Sequence, residues 1–228
     1  WETHASYRYS YTIAETVTAG IVGEEDKALT TGRFGTGLGY DSRDSALIPT
    51  RGIRASFDAT LAVSVLGSEI DFGGVDLVSA LHHPITPGTI LSLRAEYQTR
   101  YLLEERETLP IQERLFLGGN RSVRSFTQDR LGPGDRDGDP RGGLSSALAG
   151  IEIRRRLFGD LFAAAFYDVG SVSESAWDVD GNYGHGFGIG VRYHLPIGPL
   201  RLDTAYNPGE TFTQSQRWAV HFAVGFSF

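Results

Sequence analysis

Arg124 stands in the stretch LFLGGNRSVRSF (Leu115 to Phe126), between Val123 and Ser125 and just ahead of Phe126. A guanidinium carries five donors in a planar fork, which suits it to hold carboxylates or phosphates at two points. The turn around it is glycine-rich and apolar and supplies no acid of its own. Further on, DRDGDP sets Asp135, Asp137 and Asp139 at the alternate spacing that opens a calcium loop. The twelfth position of that loop is Ser146, where a bidentate Glu is needed, so a solvated loop is the simpler reading of the three acids. His82 and His83 are adjacent and on a strand would point to opposite faces. His185 and His194 are too far apart along one strand to chelate and read as polar lining. Ser, His and Asp are all present, but no Gly-x-Ser-x-Gly elbow accompanies them. There is no Cys, hence no thiolate site and no disulfide. Neither an enzyme nor a cofactor is expected. A net charge of −7 without a basic run speaks against nucleic acid as a partner.

The elements that position these residues are legible in the periodicity. From Arg217 to Phe228, Trp218, Val220, Phe222, Val224, Phe226 and Phe228 share one parity, while Arg217, His221 and Gly225 fall on the other. Leu91, Leu93, Ala95 and Tyr97 oppose Ser92, Arg94, Glu96 and Gln98. Ile53, Phe57 and Leu61 oppose Arg54, Asp58 and Thr60, and Phe187, Ile189 and Val191 oppose Gly188, Gly190 and Arg192. Such alternation is the signal for strands with one apolar and one polar face. Many runs reach about ten residues, where strands of soluble sheets average about five or six. The 29 Gly, 3 Trp, 10 Tyr and 13 Phe agree with an all-β chain, and no run approaches the ~18 apolar residues of a membrane helix.

A soluble sandwich would turn the same apolar faces inward. Against it, the polar faces carry Arg, Glu and Asp mid-strand, and aromatics gather toward run ends. The connections divide into very short (Leu195 to Pro199) and very long (Gly119 to Gly143). These features describe a transmembrane antiparallel β-barrel. Closure is expected, because hydrocarbon cannot satisfy an open strand edge. Strand candidates number about eleven, beginning near Glu2, Thr31, Arg51, Ser68, Thr89, Gln112, Gly143, Asp160, Gly184, Pro199 and Gln216, and bacterial single-chain barrels use even numbers. Either strands lie upstream, or one is misjudged near Ile70 to Leu81, where the alternation slips phase. Trp1 in place of an initiator Met also suits a fragment. Glu152 is out of phase with Ile151 and Ile153, and Asp168 with Tyr167 and Val169, so both acids should face inward.

Four stretches together resemble the BamA/TamA outer-membrane insertase superfamily, the bacterial surface antigen barrel. LFLGGNRSVRSFTQDRLGP is similar to its loop motif, in which a Gly-Gly turn leads into Val-Arg-Gly-Phe. YDSRDSALIPTRG is similar to its Asp-Arg-Asp…Pro…Gly hairpin, GFGIGVRYHLPIGPLRLDTAYNP to its penultimate hairpin, and HFAVGFSF to its closing strand. Ser125 departs from the pattern by standing where the family usually has Gly, so the turn's tip is expected to be shaped differently.

The resemblance implies that residues 1–228 are the C-terminal part of a barrel of about sixteen strands, within the even-numbered bacterial range. It implies a long loop, at about 118–143, folding into the lumen. Val123, Arg124, Ser125 and Phe126 would form the loop motif, with Arg124 reaching Glu152 and Asp168. The last strand would kink at Gly225, with Phe226 and Phe228 beyond, and serve as a lateral gate. The implied function is to fold and insert β-barrel proteins in the outer membrane of a Gram-negative bacterium, as a multi-pass protein. Its partners would be the bilayer, unfolded barrel clients, POTRA repeats upstream in the same chain, and accessory subunits. A secretion transporter of the same superfamily, of two-partner type or fused to a patatin lipase, and a plain porin-like barrel remain alternatives.

Overall fold

The computed structural model describes residues 1–12, 29–104, 109–179, 183–195, 198–209 and 217–225. Ten strands follow the alternation: β1 (Glu2–Thr12), β2 (Leu29–Asp41), β3 (Gly52–Ala62), β4 (Phe72–Thr86), β5 (Thr89–Leu102), β6 (Ser145–Phe158), β7 (Leu161–Ser173), β8 (Gly184–Leu195), β9 (Gly198–Tyr206) and β10 (Trp218–Val224). Each pairs antiparallel with its neighbours in chain order, so the strands form one meander from β1 to β10. Among the described residues β1 and β10 are its two edges.

The two faces are inverted relative to a soluble sheet. Ile189, Val220 and Phe222 are 68–69% exposed, while Arg94, Glu152, Arg154, Arg192, Arg201 and Asp203 on the opposite face are buried. An apolar exterior around a charged interior is the arrangement lipid demands of a barrel wall. Among the described residues no helix is long and apolar enough to cross a membrane; the crossing elements are strands. Connections at one end of the sheet are short, such as 87–88 and 159–160, with one ten-residue hairpin loop at 42–51; those at the other end include 63–71 and 103–144.

The strand expected near Gln112 does not exist. Ile111–Glu113 forms a single 3-10 turn, preceded by Pro110, which has no N–H to give to a ladder. The alternating leucines that follow are used within the loop itself: Leu115 bridges Gly143, and Leu117 bridges Leu131. The phase slip at the start of β4 has a different cause. Ile70 and Phe72 point to the inner face but pack with Ala62 and Leu109 under the loop, so they are apolar where the alternation calls for polar residues.

That loop sets the curvature. Turn bonds from Ser122 N–H to the Gly119 carbonyl and from Phe126 N–H to the Val123 carbonyl fold residues 119–126 tightly. Yet this small turn is reached from widely separated strands. The Arg121 carbonyl accepts from Arg94 on β5, the Asn120 carbonyl from Arg201 on β9, and the Arg124 carbonyl from His221 on β10. In a flat sheet β5 and β10 would stand about 24 Å apart. The sheet therefore curls around the turn.

Candidate functional site: the buried arginine turn

Arg124 is fully buried at the centre of this curl. Its Nε donates to Asp168 Oδ2 at 2.7 Å and its Nη2 to Asp168 Oδ1 at 3.0 Å, the side-on fork. Its Nη1 donates to Glu152 Oε2 at 2.6 Å, and its backbone N–H also reaches Asp168 Oδ2, at 3.2 Å. The guanidinium carbon sits 3.4 Å from the centroid of the Phe166 ring. The structure thus brings together Arg124, Glu152 of β6 and Asp168 of β7. The acids arrive there by strand parity alone, since both occupy inner-face positions.

The cluster continues beyond those three residues. Arg192 of β8 donates to Glu152 Oε2 at 3.0 Å and to Asp203 Oδ1 of β9 at 2.6 Å. Arg201 Nε lies 3.4 Å from Asp203 Oδ2, and Arg124 Nη1 lies 3.8 Å from the same oxygen. Charges therefore alternate in sign from the loop across β6, β8 and β9. Parity alone places Arg192 inward, whereas Asp203 and Arg201 join the cluster as members no motif points to. A usable signal was present: in Leu200-Arg201-Leu202-Asp203-Thr204 both charged residues share the parity opposite to the leucines, and the register sets Arg201 opposite Arg192.

Shape complementarity reinforces the charges. β8 carries Gly184, Gly186, Gly188 and Gly190 on its inner face, a track without side chains. A Cβ at Gly186 would stand 2.7 Å from Ser125 Oγ, one at Gly184 2.8 Å from the Phe126 ring, and one at Gly170 2.9 Å from Val123. The absent Cβ atoms are what let the turn approach so closely. Val123, Phe126, Leu117, Leu131, Leu148 and Val172 form a small apolar core on this track. Ser125 is buried, and its hydroxyl donates to the His185 carbonyl at 2.7 Å. Its φ is not positive, so ordinary backbone geometry accommodates the residue that departs from the family pattern. The His185 ring belongs to the outward face, where it bonds the Tyr167 hydroxyl at 2.7 Å. It does not line the interior with His194, because its odd parity matches Phe187.

Elsewhere, Asp135 Oδ1 accepts from the amides of Asp137 and Asp139 at 2.9 and 2.8 Å, and Asp139 pairs with Arg130. These acids shape a turn, and among the described residues no group of three or more His, Asp or Glu is arranged for a metal ion. At the closing strand the ladder ends at Val224. Gly225 follows at φ +101° and donates its N–H to the Pro199 carbonyl at 2.8 Å. Phe226 and Phe228 lie outside the described residues.

Comparison with known proteins fits this geometry. A solved structure of BamA from Haemophilus ducreyi lacking POTRA domains 1–3 is similar with a TM-score of 0.73 at 17% identity, over 86% of this chain and 43% of that one. The ten strands thus share the architecture of an outer-membrane barrel wall. Among curated proteins, the chloroplastic outer envelope protein 80 of Oryza sativa is 34% identical over 50% of this chain and 16% of its own length. Sorting and assembly machinery component 50 homolog A of Xenopus laevis is 28% identical over 67% of this chain and 32% of its own. The outer membrane protein assembly factor BamA of Nitratidesulfovibrio vulgaris is 27% identical over 71% of this chain and 21% of its own. The chain therefore spans a third or less of these relatives' lengths, and the relatives are chloroplastic and animal as well as bacterial. The Omp85 superfamily domain matches residues 2–228, and the chain belongs to that superfamily.

Proposed function

We propose that this chain is the C-terminal part of the barrel of an outer-membrane insertase, which folds and inserts other β-barrel proteins in a Gram-negative outer membrane. Two relatives named for assembly, the assembly factor BamA and the sorting and assembly machinery component, support the reading. The observation that carries it is a wall braced from inside by one buried turn, with a positive-φ glycine directly after its last described strand. The loop turn is bonded to each of β5 to β10, so six of the ten described strands are held from inside. β10 pairs with β9, and Gly225 directly after it holds a positive φ that other residues avoid.

A strand edge is a row of unpaired N–H and C=O groups that can template an incoming strand. In this reading β10 is the gate strand: when it parts from the barrel's first strand it offers that edge to a client, and the loop, bonded to β10 as to its neighbours, keeps the wall from following. No cofactor and no catalytic residue takes part. POTRA repeats upstream and accessory subunits would deliver clients. A porin or a lumenal secretion route would have to displace the turn bound at Arg124.

The test is a cysteine pair in the full-length protein, locking Val224 or its neighbour to the first strand of the barrel, with client insertion into proteoliposomes as readout. Insertion should fall on oxidation and return with reductant. Undiminished insertion with the seam covalently shut would remove the gate and this mechanism with it.

A further inference from the structure

On β6 the outward parity runs Ile151, Ile153, Arg155 and Leu157, so Arg155 is a cation on an otherwise apolar face. It does not wander there. Its Nη1 is held by three acceptors of the β4–β5 turn: Thr86 Oγ1 at 3.2 Å, the Pro87 carbonyl at 3.3 Å and Thr89 Oγ1 at 2.6 Å. The turn is itself stiff. Pro87 and Gly88, the latter at φ +80°, fill the corner positions of a type II turn. Thr86 Oγ1 bonds Thr89 Oγ1 at 2.9 Å, and the Gly88 carbonyl accepts from Arg156 N–H at 2.7 Å.

The Nε and Nη2 donors of Arg155 are therefore presented at a fixed angle, and among the described residues they make no hydrogen bond. This is the same edge with which Arg124 grips Asp168. Its chemical complement is a pair of anionic oxygens. Beside it the outward row continues through Ala163, Val191 and Leu202, and the next row is Ile153, Ala165, Ile189 and Thr204. Two alanines among bulkier neighbours leave an apolar cleft that runs away from the guanidinium. Exposed Phe158 and Tyr193 stand nearer the short-turn end of the wall, the kind of residue that marks the depth of lipid headgroups.

We propose that Arg155 and the Ala163–Ala165 cleft bind one anionic phospholipid from the surrounding bilayer, the fork taking its phosphodiester and the cleft one acyl chain. A free anion would gain nothing from the alanines, and a lipid without a phosphate nothing from the fork. At headgroup depth a guanidinium on the lipid face costs little by itself, and a bound phosphate gives the open side of the fork its partner. The inference goes beyond the insertase reading and requires only that this face meets lipid.

The experiment uses the full-length protein, folded in detergent micelles and stripped of lipid, with native mass spectrometry after addition of phosphatidylglycerol, diacylglycerol or glycerophosphate. Phosphatidylglycerol should be held about tenfold more tightly than diacylglycerol, the scale of one charge-assisted bidentate contact. Arg155→Gln should abolish that preference, and Arg155→Lys should lose most of it, because a point charge lacks the fork. Ala165→Phe fills the cleft without touching the turn, so it stands as an independent test; it should weaken phosphatidylglycerol and leave diacylglycerol no tighter. Phosphatidylglycerol retained at wild-type strength by Arg155→Gln or by Ala165→Phe would overturn the proposal. So would glycerophosphate competing at equal concentration, which would leave a free-anion site. None of these readouts involves client insertion, so failure here is separable from failure of the insertase reading.

Discussion

Replacing Arg124 with Ala would leave Glu152 and Asp168 buried without the fork they share. Breaking a buried pair from one side costs about 3–5 kcal/mol, and the turn should be what lets go. Limited proteolysis should then cut within 109–143 in Arg124→Ala but not in Arg121→Ala, whose side chain is exposed; equal protection of both would mean the charges do not hold the loop. Ser125 and Gly186 form a second, purely steric pair. A Cβ at Gly186 would sit 2.7 Å from Ser125 Oγ and 2.9 Å from its Cβ, so Gly186→Ala should destabilise by about 1–3 kcal/mol, the usual cost of overpacking. Adding Ser125→Gly should return most of that loss in denaturant midpoint, and no recovery would show that the clash lies elsewhere. Arg124 was legible because its partners followed from motif resemblance and from parity together. Arg201 and Asp203 were not singled out, although their parity was visible, because no motif pointed to them and the register that sets them beside Arg192 is a property of the folded sheet.

At the scale of the element, parity decides which substitutions the membrane tolerates. Val220 on β10 is 68% exposed on the apolar face. Val220→Arg should cost about 2–4 kcal/mol if the residue lies near the midplane, measured as the folding equilibrium in vesicles. A cost near zero would put this residue outside the hydrocarbon. Period-2 alternation revealed the strands themselves, since the outer positions are mostly apolar and the inner ones mostly polar or small along β1, β3, β5, β8, β9 and β10. It failed where the inner face is covered. Ile70 and Phe72 read as a slipped strand because they pack against Leu109, and Leu115 and Leu117 read as part of a strand because their alternation serves bridges inside the loop. In both places a tertiary contact, invisible in the linear sequence, reassigns an apolar residue from lipid to loop.

At the scale of the whole molecule, the loop holds β5 to β10 from inside, and in the proposed insertase the seam beyond β10 is where the wall would part. The strands pair with sequence neighbours throughout, so the sheet can be read off chain order; its curl cannot, because it depends on three carbonyls of one small turn meeting β5, β9 and β10. The most direct measurement places a photoreactive side chain at Phe222, on the outward face of β10, in the full-length protein during client insertion into proteoliposomes. A crosslink to a strand of the client should form early and disappear as the client completes its own barrel. Insertion proceeding at the normal rate with no crosslink at β10, while a probe on the inner wall captures the client, would contradict a gate at β10.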